Sequence, residues 1–336
     1  IVLKNGMFSH GYHISDAQKR LENFITFRNA VEKTGKTFFA RGEQDKEYRV
    51  HGWSKQNIPQ ALYWSALYAT HCGLTLWNVP WDACDDEENF PALQLFNRYA
   101  AQTKPETAKY AFIALRRGLD ASDLNQFSEE KYGKAYKKNT ERYLSIAKDF
   151  EEYGAQMNDV NKAIYGGMKN RKRKAYNDVG WKILTTNYQR HLTQINPEET
   201  SVALWNADQS IYGKFARRFD YNSGKNALYF DVDDHFLGKQ ANVKKSNIKI
   251  KIIYHDGEVG SWDLMYHATD GKMKKIITQK TYGANKWLET TVELEDALFN
   301  NGGENGADII IKNSGTTNIM FHMLEVEKNW NTINQL

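Results

Sequence analysis

The arrangement of apolar positions changes character twice along this chain of 336 residues. In the first eighty residues, short apolar runs alternate with helical stretches. Ile1-Val2-Leu3 reads as the tail of a buried strand, followed by a loop from Gly6 to His13. Ser15 with Gln18 three residues later fits a capping box, and Leu21, Phe24, Ile25 and Val31 mark one face of a helix that Gly35 ends. Thr37-Phe38-Phe39-Ala40 predicts a second strand, closing on Arg41-Gly42-Glu43-Gln44-Asp45. The pattern predicts a helix from Ser54 to Cys72 with Gly73 at its end, then a third strand over Leu74 to Pro80. Strand, helix, strand, with functional residue types at strand C-terminal ends, is the repeating unit of a parallel α/β sheet or a (β/α)₈ barrel.

From Asp85 to about Arg173 the period is mainly helical. Phe90, Leu93, Phe96 and Tyr99 mark one helix and Tyr110 to Leu119 another. Ser128-Glu129-Glu130 opens a third, with Tyr132, Tyr136, Tyr143, Ile146, Ala147 and Phe150 behind it at helical spacing as packing residues. Gly166-Gly167 and the basic run Lys169 to Lys174 read as a boundary. Beyond Tyr176 the period falls to that of short strands: Ser201–Trp205, Tyr212–Phe219, Ala227–Val232, Ile248–Tyr254, Ser261–His267, Lys274–Thr278, Thr290–Leu294, Asp308–Lys312 and Ile319–Val326. Turn signals at Asp256-Gly257, Asp270-Gly271, Asn301-Gly302-Gly303 and Asn313-Ser314-Gly315 separate several of them, which predicts a jelly-roll-like β-sandwich.

The fold class expected is therefore multidomain, α/β plus all-β. Residues 1–104 read as the C-terminal part of a (β/α)₈ TIM barrel, 105–175 as a helical extension and linker, and 176–330 as the sandwich. Only about three of the eight barrel units are visible. Because Ile1 starts in mid-element, an upstream segment of the same protein is expected to complete the barrel.

Composition changes this picture little. The 41% hydrophobic and 26% charged content is that of an ordinary folded chain, and a net charge of +4 is small for this length, so a nucleic-acid partner is not expected. The sequence has no run of about eighteen apolar residues, so no membrane span is expected. Two cysteines, Cys72 and Cys84, cannot form a disulfide framework; they read as two buried thiols, with a single bridge as the alternative.

Glu43 is the leading catalytic candidate. A carboxylate at a strand's C-terminal end can attack an anomeric carbon or stabilise the positive charge that develops there; its plain alternative is a surface Glu paired with Arg41. Glycoside cleavage also needs a carboxyl to protonate the leaving oxygen, and spacing singles out none of Asp45, Glu47, Asp82, Asp85 or Asp86. Candidate substrate-binding residues are His10, Tyr12, His13, Arg41, His51, Trp53, Trp77, Trp81 and Asp82. The histidines and tyrosine can hydrogen-bond hydroxyls or sulfate. Trp77 and Trp81 can floor a sugar ring, with core packing the equal alternative. No metal site is expected, since His10 and His13 lack a third ligand, and no cofactor is required. Asp231, Asp233 and Asp234 admit structural calcium in the sandwich, but a hydrated strand end is the better account. Glycine-rich nucleotide loops and the Gly-x-Ser-x-Gly motif are absent.

Thr37 to Glu43, Leu74 to Pro80 and the strands around Tyr254 to Leu264 together resemble the C-terminal part of large bacterial polysaccharide-degrading glycoside hydrolases, in which a (β/α)₈ barrel precedes β-sandwich modules. The resemblance implies a retaining hydrolase. Glu43 would match the nucleophile at the end of the seventh strand, Trp77 the eighth-strand aromatic, and His10 to His13 the loop after the sixth. The acid/base at the end of the fourth strand would lie upstream. The expected function is thus cleavage of a polysaccharide, with an acidic or sulfated glycan suited to the basic linker, and export to the periplasm or beyond follows from such a substrate. The alternative is a non-catalytic carbohydrate-binding or adhesin protein that works through the aromatic-rich sandwich.

Overall fold

The structure is a computed structural model that describes residues 8–13, 29–31, 33–35, 38–43, 58–79, 83–100, 102–153, 179–182, 184–205, 207, 215–238 and 247–328. The chain divides into two compact units. Described residues of the first fall within 1–101, 117–186 and 205–214, and those of the second within 102–116, 187–204 and 215–328.

In the first unit, strands β1 (Phe8–His13), β2 (Phe38–Glu43) and β3 (Leu76–Asn78) form a parallel sheet in that order. Helix α1 (Ile58–His71) connects β2 to β3. Leu62, Trp64, Ala66, Leu67, Tyr68 and Ala69 are all buried, so this helix is enclosed all round and its apolar positions are nearly continuous. It stops where expected: Gly73 takes φ +76°, its N–H donates to Thr70 O, and that of Leu74 to Ala69 O. These are the two bonds of a Schellman cap, and the left-handed residue they require favours glycine. Helix α2 (Phe90–Tyr99) carries Pro91 in its first turn and buries Ala92, Phe96 and Tyr99. Among the described residues this parallel sheet has three strands and closes no barrel.

The Ser128 helix start holds, but the element breaks in two. Ser128 Oγ accepts the Lys131 N–H at the head of α3 (Glu129–Tyr132), which Gly133 terminates. A second cap, Asn139, opens α4 (Thr140–Asp149). Tyr132, Tyr143, Ile146 and Ala147 are buried, whereas Tyr136, between the helices, is 56% exposed. Neither cysteine is disulfide-bonded, and Cys84 is exposed rather than buried.

The second unit is a β-sandwich. Its first strand, β4 (Tyr110–Ala114), lies where a helix is expected; all four residues after Tyr110 are buried. A strand covered on both faces has no alternation to distinguish it from a buried helix. After the short parallel pair β5 (Leu119–Asp120) and β6 (Val179–Gly180) of the first unit, the sandwich continues with β7 (Tyr188–Arg190), β8 (Leu192–Ile195), β9 (Val202–Leu204) and β10 (Ala216–Arg218). Then come β11 (Ala227–Val232), β12 (Ile248–Asp256), β13 (Val259–His267) and β14 (Met273–Tyr282). The last strands are β15 (Lys286–Leu294), β16 (Ile309–Asn313) and β17 (Met320–Lys328).

One sheet runs β15-β12-β17-β10-β9, with β4 also paired to β17 and β7 to β4; the other runs β14-β13-β16-β11-β8. Ile248, Ile250, Ile252 and Tyr254 of β12 alternate into the core against Trp262, Leu264 and Tyr266 of β13. Trp262 sits at its centre, edge-on to Tyr254 at 5.3 Å and to Phe321 at 5.5 Å between ring centroids. Five connections, β8–β9, β10–β11, β12–β13, β14–β15 and β16–β17, cross between the sheets at one end of the sandwich.

Candidate functional site

In the first unit the strand register brings His13, Glu43 and Asn78 level at the C-terminal ends of the three parallel strands, with Gly11 opposite Arg41 and His10 opposite Ala40. Tyr12 is level with Gly42 and Trp77. Trp77 is buried, its ring tilted against Phe96 at 5.3 Å, so its surface is taken up by packing. His51, Trp53, Trp81, Asp82 and the basic run Lys169 to Lys174 lie outside the described residues.

In the second unit the candidate site is the outer face of the β14-β13-β16-β11-β8 sheet, on its β14 side. Because Trp262, Leu264 and Ile277 face the core, the alternate positions face outward. Along β13 these are Val259, Ser261, Asp263 and Met265. Their partners on β14 are Tyr282, Lys280, Thr278 and Lys275, and Lys312 of β16 stands opposite Asp263. Asp263 organises the middle of the face: one oxygen accepts the Thr278 hydroxyl at 2.5 Å and the other meets Lys275 Nζ at 3.4 Å. Ser314 Oγ donates to Ser261 Oγ at 2.9 Å. Ile310 of β16 and Tyr229 of β11 are covered, packing with Ala307 and with Met265 and Met273. The open part of the face is therefore polar, with an apolar pair at one end.

That pair is Val259, 75% exposed, and Tyr282, 72% exposed. The two side chains face each other across the β13–β14 pair and together form an open apolar platform. The backbone beneath it is fixed. Asp256, itself buried, accepts the N–H groups of Tyr282 at 2.5 Å and Gly283 at 2.8 Å on one carboxylate oxygen. Burial raises the proton affinity of Asp256, but the amides of Tyr282, Gly283 and Ala284 and the charge of Lys286 outweigh it and hold the carboxyl below the usual range. Its main-chain carbonyl accepts Asn285 N–H at 2.6 Å. Gly283 and Asn285 adopt φ of +76° and +52°, which lets the chain turn from one sheet to the other within three residues. On the other side, Thr281 Oγ1 donates to Glu258 O and Thr317 Oγ1 to Val259 O. These bonds hold the backbone from which the ring projects.

The acidic stretch at Asp231, Asp233 and Asp234 has local employment. Asp233 accepts the His235 N–H at 2.8 Å at the head of a short helix, Asp234–Leu237. Asp231 is close to the fully buried Asp308, whose oxygens accept the N–H groups of Val232 at 3.0 Å and Asn301 at 2.7 Å. Burial pushes the Asp308 carboxyl up to about 7. Among the described residues no grouping of His, Cys, Asp or Glu is arranged to hold a metal ion.

No protein-family model and no curated protein matches the chain. Several solved structures resemble it at low identity. A family 29 carbohydrate-binding module shares 8% identity at a TM-score of 0.27, covering 42% of this chain and 80% of that one. The module CBM29_1 of Piromyces equi shares 10% at 0.26, covering 41% and 80%. The CBM22-1 and GH10 modules of a Clostridium thermocellum endo-1,4-beta-D-xylanase share 13% at 0.30, covering 44% of this chain and 27% of that one. At these TM-scores the likenesses carry no functional argument.

The sequence pattern did not single out Tyr282, Asp256, Lys280 or Lys312. The signal was present in β14, where Thr278, Lys280 and Tyr282 alternate onto one face, but the expected strand stops at Thr278 and the observed one runs four residues further; Lys275 joins that face only through a bulge.

Proposed function

We propose that the sandwich is a carbohydrate-binding module whose ligand lies along the outer face of β14, β13 and β16. The observation that carries this reading is the exposed Tyr282 ring on a backbone fixed by Asp256, at the head of a row of hydroxyl, amine and carboxylate groups. Pyranose rings present apolar C–H faces and a rim of hydroxyls, so an open aromatic ring next to hydrogen-bonding side chains matches both parts. Val259 widens the apolar platform, and Asp263, Thr278, Ser261 and Lys280 supply acceptors and donors within the next two residue pairs.

Affinity electrophoresis of the whole chain through gels containing different polysaccharides tests it. At least one polymer should retard the protein, and Tyr282→Ala should abolish that retardation without lowering the unfolding midpoint. Equal retardation of the variant would overturn the assignment of the site.

Hydrolysis at Glu43 is a second reading, supported by the level placement of His13, Glu43 and Asn78 at three parallel strand ends. Glu43→Gln should then eliminate reducing-sugar release while leaving polysaccharide binding intact. Undiminished release by that variant would remove Glu43 from the reaction.

A further inference from the structure

Charge is distributed differently on the two outer faces of the sandwich. On the β15-β12-β17 face each lysine named here is matched: Lys249 Nζ lies 2.9 Å from Glu293, Lys251 3.7 Å from both Glu289 and Glu325, and Lys109 2.9 Å from Glu327. On the β14-β13-β16 face three exposed lysines, Lys275, Lys280 and Lys312, share one carboxylate, Asp263, and only Lys275 is within ion-pair range of it. Glu258, in the turn before Val259, and Asp231, on β11, stand at the margins of this patch.

Lysines on an edge strand discourage edge-to-edge pairing, which accounts for Lys275 and Lys280 on β14. It does not account for Lys312, because β16 is an inner strand. Lys312 and Lys280 are two strands apart and offset by one residue pair along β13, a separation of roughly 12 Å between backbones. Two lysine side chains can converge on one anion across that gap or reach successive anionic groups of a polymer, and a glycan carrying such groups also covers Tyr282, one residue pair beyond Lys280.

Resting on the carbohydrate-binding reading above, we infer that the ligand of this face is a polyanionic glycan, bearing repeated sulfate or carboxylate groups that engage Lys280 and Lys312 while a sugar ring covers Tyr282. Asp263 and Thr278 then meet hydroxyls between the charged groups. Attraction to repeated anions is long-ranged and screened by salt, whereas stacking on Tyr282 is not.

The test uses the full chain in titration calorimetry at low and high salt with four probes: κ-carrageenan for sulfate, polygalacturonate for carboxylate, neutral xylan, and duplex DNA. The expected result is binding to at least one of the two anionic glycans, tighter than to xylan and weakening with salt. The double variant Lys280→Gln/Lys312→Gln should lose roughly tenfold in affinity for it at low salt, with an unchanged unfolding midpoint. Unaltered binding by the double variant, or xylan bound as tightly as the anionic glycans, would overturn the anionic ligand while leaving the carbohydrate reading standing if Tyr282→Ala still weakens binding. DNA bound as tightly as the glycans and with the same lysine dependence would overturn the glycan. Failure to bind either anionic glycan would overturn this inference, whereas the carbohydrate reading falls only if no polysaccharide retards the chain in the gels.

Discussion

Asp256→Ala is the most informative single perturbation, because it separates the support of Tyr282 from the ring itself. Asp256 is 2% exposed. Its carboxylate takes the amides of Tyr282 and Gly283, with Ala284 contributing a third hydrogen bond; the bond from Asn285 N–H goes to the main chain and survives the substitution. Hydrogen bonds to a charged acceptor contribute about 1.5–3 kcal/mol each when the partner stays buried. Tyr282, Gly283 and Ala284 are exposed residues, so their freed amides recover water and the loss for the set falls to about 2–4 kcal/mol. Urea unfolding should show a lower midpoint at unchanged slope, and amide exchange at 282–284 should accelerate. Asp256→Asn keeps one acceptor oxygen and should recover about half of the loss. Since the carboxyl is held below its ordinary range, its contribution is complete above the unfolded value and disappears as pH falls through the folded one. An alanine variant within about 0.5 kcal/mol of the wild type, or one whose amides at 282–284 remain protected, would refute the reasoning.

Three further outcomes follow from the sandwich. Trp262→Ala removes the ring at the centre of the core and should cost about 3–5 kcal/mol in chemical denaturation; a loss under about 1 kcal/mol would mean that the two sheets do not pack through it. A Cβ at Gly302 would lie 2.1 Å from His267 Nε2, in a ring that is itself buried, so Gly302→Ala should cost about 1–3 kcal/mol, read as a drop in melting temperature, and an unchanged melt would contradict that close approach. Asp308 and His191 should pull the pH dependence in opposite directions. Burial holds the Asp308 proton up to about 7, so its contribution falls as pH rises from about 4 to 7; burial and Arg190 lower His191 to about 4, so its contribution rises from about 4 to 6.5. Between pH 4.5 and 6.5, Asp308→Asn should tilt the stability profile upward and His191→Gln downward, each by at most about 1.4 kcal/mol per pH unit; shifts of the same sign in both would refute the assignment.

The sequence by itself determined the elements with a clean period. Ala227–Val232 is the strand that its apolar and aromatic residues predict, the other eight expected strands beyond Tyr176 are present with shifted ends, and Gly73 stops the helix before β3 because the cap needs a left-handed residue. The order of strand, helix, strand also foretold a parallel sheet with Glu43 at a strand end, but the sheet's first strand is Phe8–His13, where the pattern predicts a loop. Tertiary structure decided what local pattern cannot encode. Tyr110–Ala114 is a strand because two neighbours, β17 and β7, cover its edges, and its run of apolar residues fits either a helix or a strand until those neighbours are in place. Tyr282, Lys280 and Lys312 become one surface only when β13 pairs with both β14 and β16, joining residues thirty or more positions apart. Period fixes which face a side chain takes; pairing fixes which residues share that face, and that depends on contacts between distant segments that a local window does not contain.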